Sequence, residues 1–250
     1  ACMRLGVIIS MYEEYENTLE NIKTIKNNNF PIILIQSKPK DPDKIIDSVQ
    51  VDYYKMFPDI TGTGNMFTGD AAKTISHPLG RNLCHGFKIA KSFDVDWWIV
   101  ILGDIKISNF NGIKKIINKM KSKSKTLGIT REVGLTFTNK FGKLGKVEKS
   151  DTHNFVPTFF IIDAKLVEKG IFQEIEIVNP FAMEECMGIA ATRFFEINKM
   201  KFFEQCHIIA DYAYPKFIKG LEYSKDRTML PRYVDGTVNA IRRFRTKFST

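Results

Sequence analysis

The feature that most constrains this chain is an alternation. Short, almost wholly apolar runs recur between segments with helical spacing. The run at residues 5–9 reads as a buried strand, and residues 13–26 follow with Tyr15, Leu19, Ile22 and Ile25 at helical intervals and acids in the first turn. Residues 31–36 form a second apolar run, closed by the turn-forming Ser37-Lys38-Pro39. A short helix at 42–48 and a third strand at 51–56 come next. Strand–helix–strand order of this kind requires parallel pairing with right-handed crossovers. Residues 97–102, Trp-Trp-Ile-Val-Ile-Leu, are the most apolar run of all, and they stop abruptly at Gly103-Asp104-Ile105-Lys106.

The remainder extends the pattern. Residues 59–76 are rich in Gly, Thr and Asn without a period and read as a long loop, a type that is more often functional than not. Leu79, Leu83, Phe87 and Ala90 share a helical face, and a helix at 113–120 leads to a strand at 126–130. Residues 131–154 show weak alternation and suggest a hairpin or flap. A strand at 155–162, a short helix at 164–169 stopped by Gly170, and a helix at 184–197 follow. That helix is expected to pack through Cys186, Ile189, Ala190, Phe194 and Ile197. A strand at 202–210 and a basic amphipathic stretch at 238–248 complete the reading. With no internal repeat and no linker, residues 1–250 are expected to form one α/β domain. Its central sheet is mostly parallel and Rossmann-like, flanked by helices. Residues 4–107 would form one half, 108–212 the other, and 213–250 an extension.

Composition excludes some classes. At 44% hydrophobic and 26% charged the chain is ordinary for a packed domain, and no apolar run nears the roughly 20 residues of a membrane span. Cys2, Cys84, Cys186 and Cys206 have neither zinc-knuckle nor disulfide spacing, and Asn-x-Ser/Thr acceptors are absent. A cytoplasmic setting is expected. The 37 Lys and Arg against 28 Asp and Glu give a net charge of +9, a field that favours anionic partners. Nucleic-acid binding is not expected, because basic and aromatic residues interleave only at Arg242-Arg243-Phe244-Arg245. That stretch fits equally a peripheral contact with an anionic membrane through 238–248.

Two segments carry the chemistry. Leu79-Gly80-Arg81-Asn82 opens a helix, and the strand after it ends in Gly103-Asp104. Together they resemble the glycosyltransferases of the GT-A fold, in which a Gly/Ala-Arg-Asn helix start precedes a strand ending in a D-x-D motif. Residues 5–10 with Tyr12 and Glu13 resemble that family's first strand and nucleotide-facing loop. Phe159-Phe160-Ile161-Ile162, Gly170-Ile171-Phe172 and Glu184-Glu185 resemble its acceptor half. The likeness covers most of residues 4–210 in order.

This resemblance implies a nucleotide-sugar donor, UDP- or GDP-linked, bound by Ser10, Tyr12, Glu13, Arg81, Asn82, Gly103, Asp104 and Lys106. It implies Glu185, with Glu184 beside it, as the base that takes the acceptor's proton, and Mn²⁺ or Mg²⁺ held by Asp104 and His207. The acceptor, whether glycan, lipid or protein, is not implied. Physical reasons support these roles. A departing diphosphate needs its charge met, a carboxylate at a strand end suits a hard cation, and a helix N-terminus helps an acid stay ionised. One departure stands out: Lys106 occupies the place of the second Asp. A lysine cannot ligate a cation, so it either faces the diphosphate or leaves the metal site incomplete. A nucleotidyltransferase is disfavoured, since Met11-Tyr12-Glu13-Glu14 stands where such enzymes carry a Gly-rich loop. A non-catalytic binding module that lost its metal is the alternative.

Overall fold

Odd-numbered residues of the first strand go to one face of a sheet and even-numbered residues to the other, and both faces are covered. In the computed structural model, which describes residues 3–58, 77–130, 157–175, 183–210 and 218–223, strand β1 (Leu5–Met11) is buried throughout. Val7 and Ile9 join one apolar cluster, and Ile8 joins the other. Strand β4 (Trp97–Leu102) divides the same way, with Trp97, Ile99 and Ile101 on one side and Trp98 and Val100 on the other. A strand buried on both faces has no reason to alternate with polar residues, which explains the continuous apolar runs of the sequence.

The remaining strands of this sheet are β2 (Ile32–Ser37), β3 (Tyr53–Phe57), β6 (Leu127–Thr130), β7 (Phe159–Asp163) and β8 (Cys206–Ala210). The seven run in the order β3-β2-β1-β4-β7-β6-β8. Strand β7 is antiparallel to its neighbours β4 and β6, and every other pairing is parallel. This is the mostly parallel α/β sheet flanked by helices that the resemblance to the GT-A fold implies. The order turns back at β1: β2 and β3 extend to one side of it, and β4 lies on the other. In open α/β sheets generally, ligands bind outside the carboxyl ends of the strands at such a point.

Helices α1 (Tyr15–Lys26) and α3 (Asn111–Ser122) cover the face of Val7, Ile9 and Ile101 through Ile22, Ile25, Ile113, Ile117 and Met120. Helices α2 (His77–Ala90), α4 (Ala164–Glu168) and α5 (Met183–Ile197), with the one-turn α6 (Phe202–Gln205), lie on the face of Ile8, Trp98 and Val100. Contact between α2 and the sheet depends on Gly86, where a Cβ would stand 2.9 Å from Cγ2 of Ile8. A two-stranded antiparallel ribbon sits beside the main sheet. It joins β5 (Ile105–Ile107), which leaves β4 after one turn, to β9 (Leu221–Tyr223).

Several expectations need correction. In place of the helix expected at 42–48, residues 42–50 hold two single 3-10 turns, Pro42–Lys44 and Ser48–Gln50, each capped by an Asp side chain, Asp41 and Asp47. Competition from these caps is why a helix does not form there. The expected strand at 202–210 begins with a helical turn and becomes extended only at Cys206. Helix α5 buries Met187, Ala191 and Phe195 along with Cys186, which leaves Ile197 81% exposed rather than packed. Strand β5 was not expected. The loop expected at 59–76, the hairpin at 131–154 and the basic stretch at 238–248 lie outside the described residues. None of the described helices is long and apolar enough to cross a membrane.

Candidate functional site

Parallel strands deliver their C-terminal ends to one edge, and the chain places buried polar groups there. Ser10 ends the inward row of β1, and Ser37 ends β2; both are buried. Asn82, on the second turn of α2 and 2% exposed, donates from Nδ2 to both hydroxyls, at 3.2 Å to Ser10 and 3.1 Å to Ser37. One buried amide therefore joins the tips of two strands to the helix that crosses them. A buried amide left without partners is costly, so this arrangement fixes the register of α2.

Arg81, the residue before, donates from Nη2 to Oδ1 of Asn82 at 3.3 Å. Its guanidinium lies 4.0 Å from the ring centroid of Phe57, the last residue of β3. Burial lowers its pKa from the ordinary guanidinium value, and it stays a cation at neutral pH. His85, one turn on, meets the hydroxyl of Tyr53 at 2.7 Å and is held below the ordinary imidazole range by burial, then by Lys55 and Lys88. It belongs to the packing between α2 and β3.

At the end of β4 the chain turns under restraint. The amide of Gly103 donates to the carbonyl of Ser10 at 2.9 Å, which continues the β1–β4 pairing by one residue. The Gly103 carbonyl accepts from Nδ2 of Asn17 on α1 at 2.5 Å. One turn further along α1, Asn21 donates to the carbonyl of Ile105 at 2.6 Å and accepts from the amide of Ile107 at 2.7 Å. These two asparagines hold the whole turn from β4 into β5. Gly103 has no room for a side chain, because a Cβ there would lie 3.0 Å from both Met11 and Glu14. Asp104 follows, 6% exposed, beyond the end of β4 and beside the strand at which the order reverses.

The loop leaving β1 is organised by Glu14. Its Oε2 accepts from the amides of Tyr12 at 3.0 Å and Glu13 at 3.1 Å, which holds the loop against Gly103. Oε1 of Glu13 turns the other way and accepts from the amide of Lys40 at 3.2 Å. The structure thus brings Ser10, Tyr12, Arg81, Asn82, Gly103 and Asp104 to one edge. Four residues of this edge, Glu14, Asn17, Ser37 and Phe57, were not singled out in the sequence. Asn17 carried the clearest signal, as a polar residue four before Asn21 on a helix otherwise patterned for packing.

Two expected members stand elsewhere. Lys106, half-exposed on β5, is ion-paired with Glu20 of α1, and that carboxylate raises the lysine's pKa. Its ammonium is committed to the helix beside it. His207 sits at the start of β8, in register with Gly128 of β6, which pairs with Ile161 of β7 and through it with Ile99 of β4. It is thus five residues short of Asp104 along the strand direction and three strands away. At about 3.3 Å per residue and about 4.8 Å per strand, the two cannot share an ion. Burial, then Lys119, Lys123 and Lys125, lower the His207 pKa. Among the described residues no three His, Cys, Asp or Glu side chains converge on a metal position.

Glu184 and Glu185 fall in the first turn of α5, and their side chains lie outside the described set. The helix itself leads through α6 to the start of β8.

No protein-family model matches the sequence, and no curated protein matches it. Among solved structures, the chain is similar to S. aureus TarS, at 12% identity and a TM-score of 0.48, over 85% of this chain and 59% of that one. It thus spans less than two thirds of that protein. It is also similar to the mannosyltransferase PcManGT of Pyrobaculum calidifontis, solved with GDP-Man and Mn²⁺, at 11% identity and a TM-score of 0.44, over 85% and 57% of the two chains. A third is a glucose-1-phosphate thymidylyltransferase of Bacillus anthracis, at 14% identity and a TM-score of 0.42, over 83% and 88%.

Proposed function

We propose that this chain is a glycosyltransferase that moves a sugar from a UDP- or GDP-linked donor to an acceptor hydroxyl. The observation that carries this reading is the edge at the strand reversal. At the strand tips a guanidinium, Arg81, lies over Phe57 at the end of β3 and a carboxylate, Asp104, follows β4, and the buried Ser10–Asn82–Ser37 hydrogen bonds tie the start of α2 to the two strands between them. A donor of this class presents a diphosphate, which needs cationic and N–H partners, and hydroxyls, which need acceptors. This edge has both.

In this mechanism Arg81 and the N-terminal amides of α2 face the diphosphate. A guanidinium fork and a helix N-terminus both favour phosphate oxygens and the charge they gain as the sugar departs. Tyr12, at the mouth of the β1 loop, lies against the base. Glu185, on the first turn of α5, takes the proton from the acceptor hydroxyl, and Glu184 adds negative charge beside it. The positive end of the helix keeps such an acid ionised before it acts.

A divalent ion fits this edge in one way. Mg²⁺ and Mn²⁺ bound with nucleotides use one or two carboxylates together with phosphate oxygens. Asp104 is the residue that would hold such an ion, while the Gly103 carbonyl accepts from Asn17, Lys106 pairs with Glu20, and His207 is remote. When bound, the ion neutralises charge on the departing diphosphate.

The test is turnover. Transfer or slow hydrolysis of a panel of UDP- and GDP-sugars should be measurable with the intact chain. Glu185→Gln should abolish turnover and leave donor binding in place. Unchanged turnover in that variant removes Glu185 from the chemistry. Donor binding without any turnover in the intact chain favours the second reading, a binding module, for which the diversion of Lys106 to Glu20 is the supporting observation.

A further inference from the structure

The edge opposite the proposed donor site carries a surface with a different chemistry. Residues 105–131 contain no Asp or Glu, and six lysines lie between Lys114 and Lys125. The C-terminal end of α3 and the turn into β6 bring Lys119, Lys121 and Lys123 to the surface. This turn is fastened to α6. Nζ of Lys125 donates to the carbonyls of Phe203 at 2.8 Å and Glu204 at 2.9 Å, and Thr126 donates from its amide and hydroxyl to Gln205 at 2.9 Å and 2.8 Å.

The α6 side of this seam is apolar where it meets solvent. Phe203 is 59% exposed, and Ile197, at the end of α5, is 81% exposed. They flank the turn at 198–201, which adds the exposed Lys199 and Lys201. Four acids also lie here: Glu204 is paired with Lys201 at 3.1 Å, Glu196 stands exposed beside Ile197, Asp96 is paired with Arg4 and lies in the field of Lys121, and Asp163, whose amide donates to the Thr126 carbonyl, lies near Asp96. Lysine remains in excess. Exposed apolar side chains among lysines combine the two attractions that hold a protein at an anionic bilayer: apolar burial at the headgroup boundary and charge pairing with the lipids.

We infer that the surface formed by Ile197, Phe203 and the lysines of the α3–β6 turn docks on an anionic lipid membrane. Charge complementarity selects an acidic surface, and the pair of apolar residues selects a bilayer over a nucleic acid. Aromatic side chains hold nucleic acid by stacking on bases, whereas Ile197 has no such use and gains only from entering hydrocarbon. Docked in this way, the molecule holds the Asp104 edge away from the lipid by the length of the sheet, about 20 Å for six residues of strand. The inference stands independently of the proposed reaction.

The test is co-sedimentation of the full chain with vesicles of phosphatidylcholine, with and without about a third phosphatidylglycerol, at low and high salt. The chain is expected to pellet with the anionic vesicles, to remain free with the neutral ones, and to be released by salt. Ile197→Ser with Phe203→Ser, and separately Lys121→Glu with Lys123→Glu, should each lower the bound fraction about tenfold. Both double variants replace exposed side chains, and an unchanged Tm checks that they fold. Failure to bind anionic vesicles overturns the inference. So does binding by both double variants at the level of the unaltered chain, since contact then lies on another segment such as 238–248. Tighter binding to a single-stranded oligonucleotide that displaces the vesicles assigns the surface to nucleic acid and overturns it as well.

Discussion

Asn82 shows how much of this site rests on single side chains. It is buried, and its amide serves Ser10 and Ser37 at once, so truncation leaves two hydroxyls of a buried edge with one partner fewer each. Asn82→Ala is expected to cost about 2 kcal/mol in chemical denaturation. Because Asn82 also orients the guanidinium of Arg81, the same variant should bind donor more weakly than its stability loss alone would suggest. Denaturation and titration of one preparation check both. Neighbouring Arg81 was legible in the sequence as a candidate, because its position in Leu79-Gly80-Arg81-Asn82 could be read directly. Its stacking on Phe57 was not, since residues 57 and 81 come together only once β3 is placed beside β2. Lys106 marks the limit from the other side. Its place after Asp104 suggested a phosphate partner, yet the nearest countercharge is Glu20, on a helix the local pattern does not mention.

Among the elements, the apolar core strands were legible, while the short β5 and β9 and the joints were not. Runs such as Trp97–Leu102 are apolar because both faces of the sheet are covered, and that requirement appears in the sequence without further information. Helix α5 was found, and Cys186, Ala190 and Phe194 of its expected face do pack against the core, but Ile197 is exposed and the fully buried Met187, Ala191 and Phe195 were not foreseen. Phe194 and Phe195 are adjacent and equally apolar, and the choice between them follows from the approach of α6, where Phe195 meets Phe202 at 5.8 Å. The turn from β4 to β5 was read as an acidic loop end, and its support from α1 could not be read. Asn21 is the key to that joint, with one hydrogen bond to each side of Lys106. Asn21→Ala strands a buried carbonyl and a buried amide. It is expected to destabilise the protein by about 2–3 kcal/mol and to speed amide exchange at Ile107 more than in β1. Uniform exchange across both strands would mean that the joint is held by something other than Asn21.

Among the described residues the two edges differ: buried polar groups gather at the strand tips, while the lysines of the α3–β6 turn lie at the strand starts with Asp94 and Asp96. The strand reversal at β1 follows from topology, and the strand–helix alternation made it foreseeable in kind if not in order. Histidines give the molecule a pH response. Burial and neighbouring lysines hold both His85 and His207 below the ordinary imidazole range in the folded state. The unfolded chain therefore takes up protons first as pH falls through about 6.5, and stability is lost in that window. The Tm should fall between about pH 7.5 and about pH 5.5, and His207→Asn should flatten part of that slope. A Tm that rises over the same interval would contradict the assignment. The central claim is that the strand-tip edge holds a sugar nucleotide through Asp104. It is tested most directly by calorimetric titration of UDP- and GDP-sugars, with Mn²⁺ present, into the intact chain and into Asp104→Asn of unchanged Tm. The account predicts saturable binding of one donor class to the intact chain, weakened at least about tenfold, or about 1.4 kcal/mol, by the substitution. Equal affinity in the two proteins, or no binding of any donor to the intact chain, would contradict it.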